Sequence, residues 1–146
     1  KYNNVIFQKM IYDCSKKIRS FRFVSLYNGT PFRLYEIFGK SGKLVTNNGT
    51  TSICEPQLCI NLPNKENIEI KKITNKLLNC HKIEFKNIFS IGWDIIFDCN
   101  NNNIKAYCLE GNILHTTWRF PDPINKKLIT DYKNKCITFL SNNNYL

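Results

Sequence analysis

The fold is best predicted from residues 93–108, which have the sequence WDIIFDCNNNNIKAYC. Apolar and polar side chains alternate on both sides of an asparagine run, and asparagines favour the turn between two strands of a hairpin. If the asparagines form the loop, Cys99 pairs with Ile104 and Ile95 pairs with Cys108. Alternate residues of a strand share a face, so one face of this hairpin is expected to be buried. The residues of that face are Ile95, Phe97, Cys99, Ile104, Ala106 and Cys108.

Similar segments along the chain predict an all-β, immunoglobulin-like β-sandwich with disulfides and at most one short helix. They are rich in Ile, Phe, Tyr, Val and Thr, and Gly, Asn or Pro turns separate them. The segment from Glu66 to Asn79 is ambiguous, and we expect a short strand followed by a helical turn or two. The predicted strands are 5–12, 18–27, 32–38, 59–62, 82–90, 93–99, 104–109, 113–120 and 136–140.

The cysteine content predicts disulfides. Residues 99 and 108 lie about four residues apart along the predicted hairpin, or about 13 Å, which exceeds the roughly 7 Å between Cα atoms that a disulfide spans. We therefore expect them to bond to other partners, with six of the seven cysteines cross-linked. A zinc site at Cys54, Cys59, Cys80 and His81 is disfavoured, because the paired spacing of structural zinc sites is not repeated. The disulfide candidates are Cys14, Cys54, Cys59, Cys80, Cys99, Cys108 and Cys136.

Two Asn-Gly-Thr sequons make Asn28 and Asn48 candidate glycosylation sites on exposed turns. Together with the cysteines, they predict the oxidising environment of the secretory route. We find neither a signal peptide nor a membrane-spanning stretch in the sequence, so we expect residues 1–146 to be one domain excised from a longer membrane protein. The predicted location is the extracellular face of the plasma membrane.

The formal net charge of +10 raises nucleic acid or another polyanion as a partner. The excess comes mainly from scattered lysines and accompanies many Asn and Ile residues, all of which have A/T-rich codons. A coding bias therefore explains the charge at least as well as a ligand, and nucleic acid is not predicted. A secreted polyanion-binding domain is the third-ranked alternative.

The sequence predicts no catalytic site, no metal and no cofactor. His81 and His115 are the only histidines, and each is expected to be an ordinary surface or half-buried strand residue. The motifs of nucleophilic serine hydrolases, zinc proteases and phosphate-binding loops do not occur. The carboxylates Glu36, Glu84, Asp94 and Asp98 are interpreted as solvated strand residues, and the abundant aromatic residues as core.

Residues 21–36, FRFVSLYNGTPFRLYE, place an Asn-Gly turn between two strands ahead of Cys54 and Cys59. With the later Cys99 and Cys108 and residues 118–120, this pattern resembles domain III of the hapless/generative-cell-specific class II gamete fusogens. The codon bias suggests that the chain comes from a protist with an A/T-rich genome. The resemblance implies an immunoglobulin-like, non-catalytic module. It would fold back against the core of a homotrimer during gamete fusion.

The partners implied by this resemblance are other domains of the same fusogen and the homotrimer formed after fusion. The target membrane would be contacted only through other domains, and the surface of the module would be accessible to antibodies. The alternative is a disulfide-rich, six-cysteine-type adhesion domain that binds a partner protein on the surface of a parasite gamete or invasive stage. The Cys-x-Cys pattern of that family does not occur here.

Overall fold

The computed structural model describes residues 19–38, 62–100, 103–113 and 124–145. These residues form strand β1 (Arg19–Leu26), strand β2 (Pro31–Phe38), helix α1 (Asn64–Glu84), strand β3 (Ser90–Asn100), strand β4 (Asn103–Asn112) and helix α2 (Ile124–Asn142). The four strands make one antiparallel sheet in the order β2-β1-β3-β4. The two hairpins β1–β2 and β3–β4 are therefore joined in the sheet by β1 and β3, while α1 connects them along the chain.

The β3–β4 hairpin has the predicted register. Cys99 pairs with Ile104 and Ile95 pairs with Cys108, so the apolar face predicted from the alternation is confirmed. A bulge interrupts the ladder between Asp94 and Ile95, where Leu109 has no partner on β3. An extra residue of this kind bends a strand and increases its twist.

Helix α1 covers one face of the sheet. The helix contributes Ile70 and Leu77 to the main core, where they pack with residues from the two central strands. Burying this number of large apolar side chains is the main stabilising contribution in the described fold. The strand residues of this core are Phe21, Phe23, Ile91, Trp93, Ile95 and Phe97.

Helix α2 lies near the β1–β2 turn. Phe139 contacts the rings of Tyr27 and Phe89 at centroid distances of 4.6 and 5.6 Å. Tyr132 packs against Phe32 and Phe89, and its hydroxyl lies 2.5 Å from the Ser90 hydroxyl. This aromatic cluster holds the helix to the end of the sheet.

The two helices correct the sequence-based fold prediction. An immunoglobulin-like sandwich has two packed sheets, whereas the described residues form a single antiparallel sheet with helices of 21 and 19 residues. The strands predicted over 82–90 and 136–140 are wrong, because the first contains the end of α1 and the second lies within α2. The short strand predicted at the start of 66–79 is also wrong, since that segment is helical throughout. The strands predicted over 5–12 and 59–62 and at 113–120 fall wholly or almost wholly outside the described residues.

Candidate functional site

A buried hydrogen-bonded network joins β1, β3 and α1. The Ser25 hydroxyl lies 2.6 Å from His81 Nδ1, and Trp93 Nε1 donates to the Ser25 oxygen at 2.7 Å. His81 Nε2 lies 2.8 Å from the carbonyl oxygen of Ile88. A carbonyl can only accept, so Nε2 carries the proton, Nδ1 accepts from Ser25, and the serine oxygen accepts from Trp93. Every polar atom of these three side chains thus has a partner.

The environment of His81 determines its protonation state and its access to a substrate. Burial lowers the pKa of His81, and the bond to the Ile88 carbonyl opposes that effect without reversing it. The imidazole is therefore neutral at physiological pH. Ser25 and His81 have no exposed surface, so a substrate cannot reach this serine-histidine pair. The pair stabilises the packing of α1 on the sheet, and the expectation that His81 is a surface or half-buried strand residue is wrong.

Charged groups form a first cluster on the sheet face that α1 covers. Arg19 contacts Glu36 on β2 at 3.3 Å and Glu66 in the first turn of α1 at 2.8 Å. The guanidinium also lies over the ring of Phe21, at 5.5 Å from its centroid. Removing one partner of a buried ion pair is costly, because the other charge is left without compensation. This cluster therefore fixes the N-terminal end of α1 against the sheet.

A second cluster lies on the opposite face of the sheet. Arg22 Nη2 donates to Asp94 Oδ2 at 2.9 Å. Burial raises the pKa of Asp94 to about 6 although Arg22 lowers it, and a hydrogen bond with Glu110 raises it further. Glu36 and Asp98 are buried and Asp94 is partly buried, so the interpretation of these three as solvated residues is wrong; Glu84 is exposed as expected.

Strand β4 is, like β2, an edge strand of the sheet, and exposed apolar side chains lie on it and directly after it. Tyr107, Leu109 and Ile113 are 39%, 57% and 61% exposed, and no strand in the described parts of the chain pairs with the outer edge of β4. Leu109 is the unpaired residue of the bulge. Next to it, Gly111 lies under the indole of Trp93, where an added Cβ would come within 2.8 Å of the ring. The inner side of β4 is therefore tightly packed, and its outer edge pairs with no other strand among the described residues.

A shallow cleft of about 300 Å³ lies between the β1–β2 turn and α2. Asn28 lines the cleft and is exposed, as predicted for a glycan acceptor. The Thr30 amide and hydroxyl both donate to Asn28 Oδ1, at 3.2 and 2.6 Å. Gly29 completes the turn with a φ of 77° that favours glycine.

The cysteine predictions have a mixed outcome. Cys80, Cys108 and Cys136 are free thiols, so the structure does not show six of seven cysteines cross-linked. Cys99 is disulfide-bonded, and because Cys108 is free the two do not bond to each other. The remaining predicted site residues, Cys14, Cys54, Cys59 and Asn48, and also His115, lie outside the described residues.

The described residues contain neither a metal-binding cluster nor a membrane-spanning helix. No cluster of three or more His, Cys, Asp or Glu side chains in the described ranges could hold a metal ion. Neither α1 nor α2 combines the length and the apolar composition that a membrane-crossing helix needs.

Comparisons of this chain with protein-family models, with curated proteins and with solved structures find no match. A functional proposal therefore depends on the geometry of the described residues. Three features of that geometry were not predicted from the sequence: the Ser25–His81–Trp93 network, the two arginine clusters and the bulge in β4.

Proposed function

We propose that this chain is a non-catalytic, extracellular protein-binding domain whose partner adds an extended segment to the outer edge of β4. The observation that supports this proposal best is the exposure of Tyr107 and Leu109 on an edge strand of ten residues, and of Ile113 directly after it. Edge strands present unpaired N–H and C=O groups, and several families of binding domains use such an edge to bind an extended peptide.

The surface of β4 differs from that of a well-protected edge strand. Natural edge strands are kept from pairing by charged side chains, proline, bulges or short length. Strand β4 has one bulge, at Leu109, but the six residues before it form a regular ladder with β3. Strand β4 contains no proline, and Lys105 is the only positive charge in its ten residues. The exposed Leu109 at the bulge supplies an apolar contact beside the edge, and burying one leucine side chain contributes about 1.5–3 kcal/mol. These features favour pairing with a partner.

The partner is expected to carry apolar side chains that pack on Tyr107 and Leu109, with acidic residues around them. The formal net charge of +10 attracts an acidic partner over long range and increases the rate of encounter. Backbone hydrogen bonds to the edge would supply affinity, whereas the side-chain contacts at alternate positions would supply specificity.

This function belongs with the adhesion alternative more than with the gamete-fusogen hypothesis. In the fusogen hypothesis, this domain is the immunoglobulin-like module of a trimer. In the described residues, helix α1 lies across a single sheet. An open edge strand supports partner binding in either setting. The non-catalytic part of the proposal is supported by the burial of Ser25 and His81, which keeps this pair from any substrate.

Selection of random linear peptides on the purified domain tests this function. Enriched peptides are expected to be extended, apolar and acidic, and their affinity should fall about tenfold or more with Leu109→Asp. The matched control is Ile68→Asp, because Ile68 is a similarly exposed apolar residue on α1, at 54%. The Ile68→Asp variant should bind the selected peptides with the affinity of the wild type. Equal affinity for Leu109→Asp, or no enrichment of any peptide, would contradict the proposal.

A further inference from the structure

Cys108 lies on the face of the sheet that α1 covers. It pairs across the ladder with Ile95, which belongs to the core beneath the helix, and directly opposed residues of two strands share a face. Cys108 itself packs against that core and is half-buried. Its sulfur therefore lies where α1 meets the edge strand β4.

Cys80 lies on the side of α1 that faces β4. The flank of the helix that carries His81 and Lys82 points toward β1, because His81 contacts Ser25 and Lys82 lies beside Gly29 of the β1–β2 turn. Cys80 precedes His81 by one residue, or about 100° around the helix, and shares the other flank of the sheet-facing side with Ile73, which packs against the core seven residues earlier. Helix α1 contacts β4 more extensively than it contacts β1 or β3, so the flank that carries Cys80 packs against the strand.

The electrostatics agree with a short separation between the two thiols. Burial is the main cause that raises the pKa of Cys108, followed by the nearby charge of Asp94. A charge on Cys80 raises this pKa further, in agreement with the placement of both side chains between α1 and β4. Both cysteines are free and half-buried, so a small reagent can approach the pair.

We propose that Cys80 and Cys108 are a disulfide-forming pair that links α1 to β4 when the protein meets a small disulfide such as oxidised glutathione. One protein thiolate attacks a sulfur of the reagent, forming a mixed disulfide and releasing one glutathione thiolate. The second protein thiolate attacks the protein sulfur of that intermediate and releases the second glutathione. Two protein thiols are oxidised, one glutathione disulfide is reduced to two thiols, and the protons pass to the released thiolates.

The bond would close a loop that contains β3, and it would restrict the unfolded chain. Closing a loop of this size is expected to raise the Tm by on the order of 5–10 °C. Because the thiolate is the nucleophile and the pKa of Cys108 is raised, oxidation should accelerate between about pH 7 and about pH 9. The bond forms on the inner side of β4 and leaves the outer edge of the strand open, so it does not depend on partner binding.

The test is peptide mapping of the whole chain after equilibration with oxidised glutathione. Free thiols are alkylated first, and trypsin is then used without a reductant. The expected product joins residues 77–82 to residues 106–119, each of which contains one cysteine. The oxidised protein should also show the raised Tm, and the double variant Cys80→Ala/Cys108→Ala should show neither the product nor the shift.

Cys136→Ala is the matched control, because Cys136 is also a half-buried free thiol but lies on α2. This variant should retain both the cross-linked product and the rise in Tm. Recovery of Cys80 and Cys108 as separately alkylated or separately glutathionylated peptides would overturn the proposal. A bond from either cysteine to a third cysteine would also overturn it.

Discussion

Ser25 is the residue whose loss should disturb the described core most for its size. Ser25→Ala leaves His81 Nδ1 and Trp93 Nε1 without their partners inside the protein. Two buried unsatisfied polar atoms are expected to lower the free energy of unfolding by about 2–4 kcal/mol. Urea denaturation measures this loss. Thr130→Ala, which removes an exposed hydroxyl on α2, should change stability by less than about 0.5 kcal/mol, and equal effects of the two variants would contradict the network.

His81 should make stability depend on pH. The pKa of His81 is lowered in the folded protein, so the unfolded chain binds a proton at higher pH than the folded chain does. The stability that His81 contributes is therefore complete above the usual pKa of 6.5 and is lost as the pH falls from there toward the folded pKa. The slope over that interval is at most about 1.4 kcal/mol per pH unit.

The comparison that isolates this effect is wild type against His81→Gln, measured by urea denaturation over the same pH range. Asp94 acts in the opposite direction, because its pKa is raised from 3.8 to about 6 and its contribution falls as the pH rises between these values. That contribution is present in both proteins and cancels in the difference. The difference in free energy of unfolding should shrink as the pH falls below 6.5. A difference that is constant with pH would show that His81 does not titrate as described.

At the residue scale, sequence reasoning could not predict the network or the arginine clusters. Ser25 and His81 are 56 residues apart in the chain, and Ser25 and Trp93 are 68 apart. Such contacts depend on how the elements pack, and a single sequence carries no periodic signal for them. Exposure of Asn28 was predictable, because Asn-Gly favours a turn through local backbone geometry.

Helix α1 should owe its position to apolar packing more than to its intrinsic helix propensity. Ile70 is 2% exposed and lies in the core, so Ile70→Ala is expected to cost about 2–4 kcal/mol. Ile68 is on the same helix and 54% exposed, and Ile68→Ala should cost less than about 0.5 kcal/mol. Thermal or urea unfolding of the two variants measures the contrast. Similar losses would mean that α1 does not pack on the sheet through this face.

The elements that sequence reasoning predicted well are those with strict alternation. The β3–β4 register follows from residues 95–108, because a slip of one residue would move the whole apolar set to the other face. The helices were missed for opposite reasons. In α1, eight charged residues dilute the helical spacing of Ile70, Ile73 and Leu77. In α2, the β-branched and aromatic residues of 136–140 favour a strand locally, but packing of Phe139 on Tyr27 and Phe89 overrides that preference.

The location of the whole molecule can be tested through Asn28. If the chain follows the secretory route, expression in a eukaryotic secretory system should give a glycan at Asn28, detected as a peptide mass change after enzymatic deglycosylation. Thr30→Ser keeps the sequon and should keep the glycan, whereas Thr30→Ala should remove it. Asn28 is exposed, so the acceptor is accessible after folding. An unmodified Asn28 in secreted wild-type protein would contradict the predicted modification.

The central claim about the whole molecule is that a partner pairs with the outer edge of β4. Hydrogen exchange of the domain, measured with and without a peptide selected as described above, tests this claim most directly, since backbone pairing slows the exchange of edge amides. We predict that protection increases within Asn103–Asn112 and is abolished by Leu109→Asp. Unchanged exchange in β4, with protection gained on α2 or on the outer surface of α1 instead, would contradict the claim.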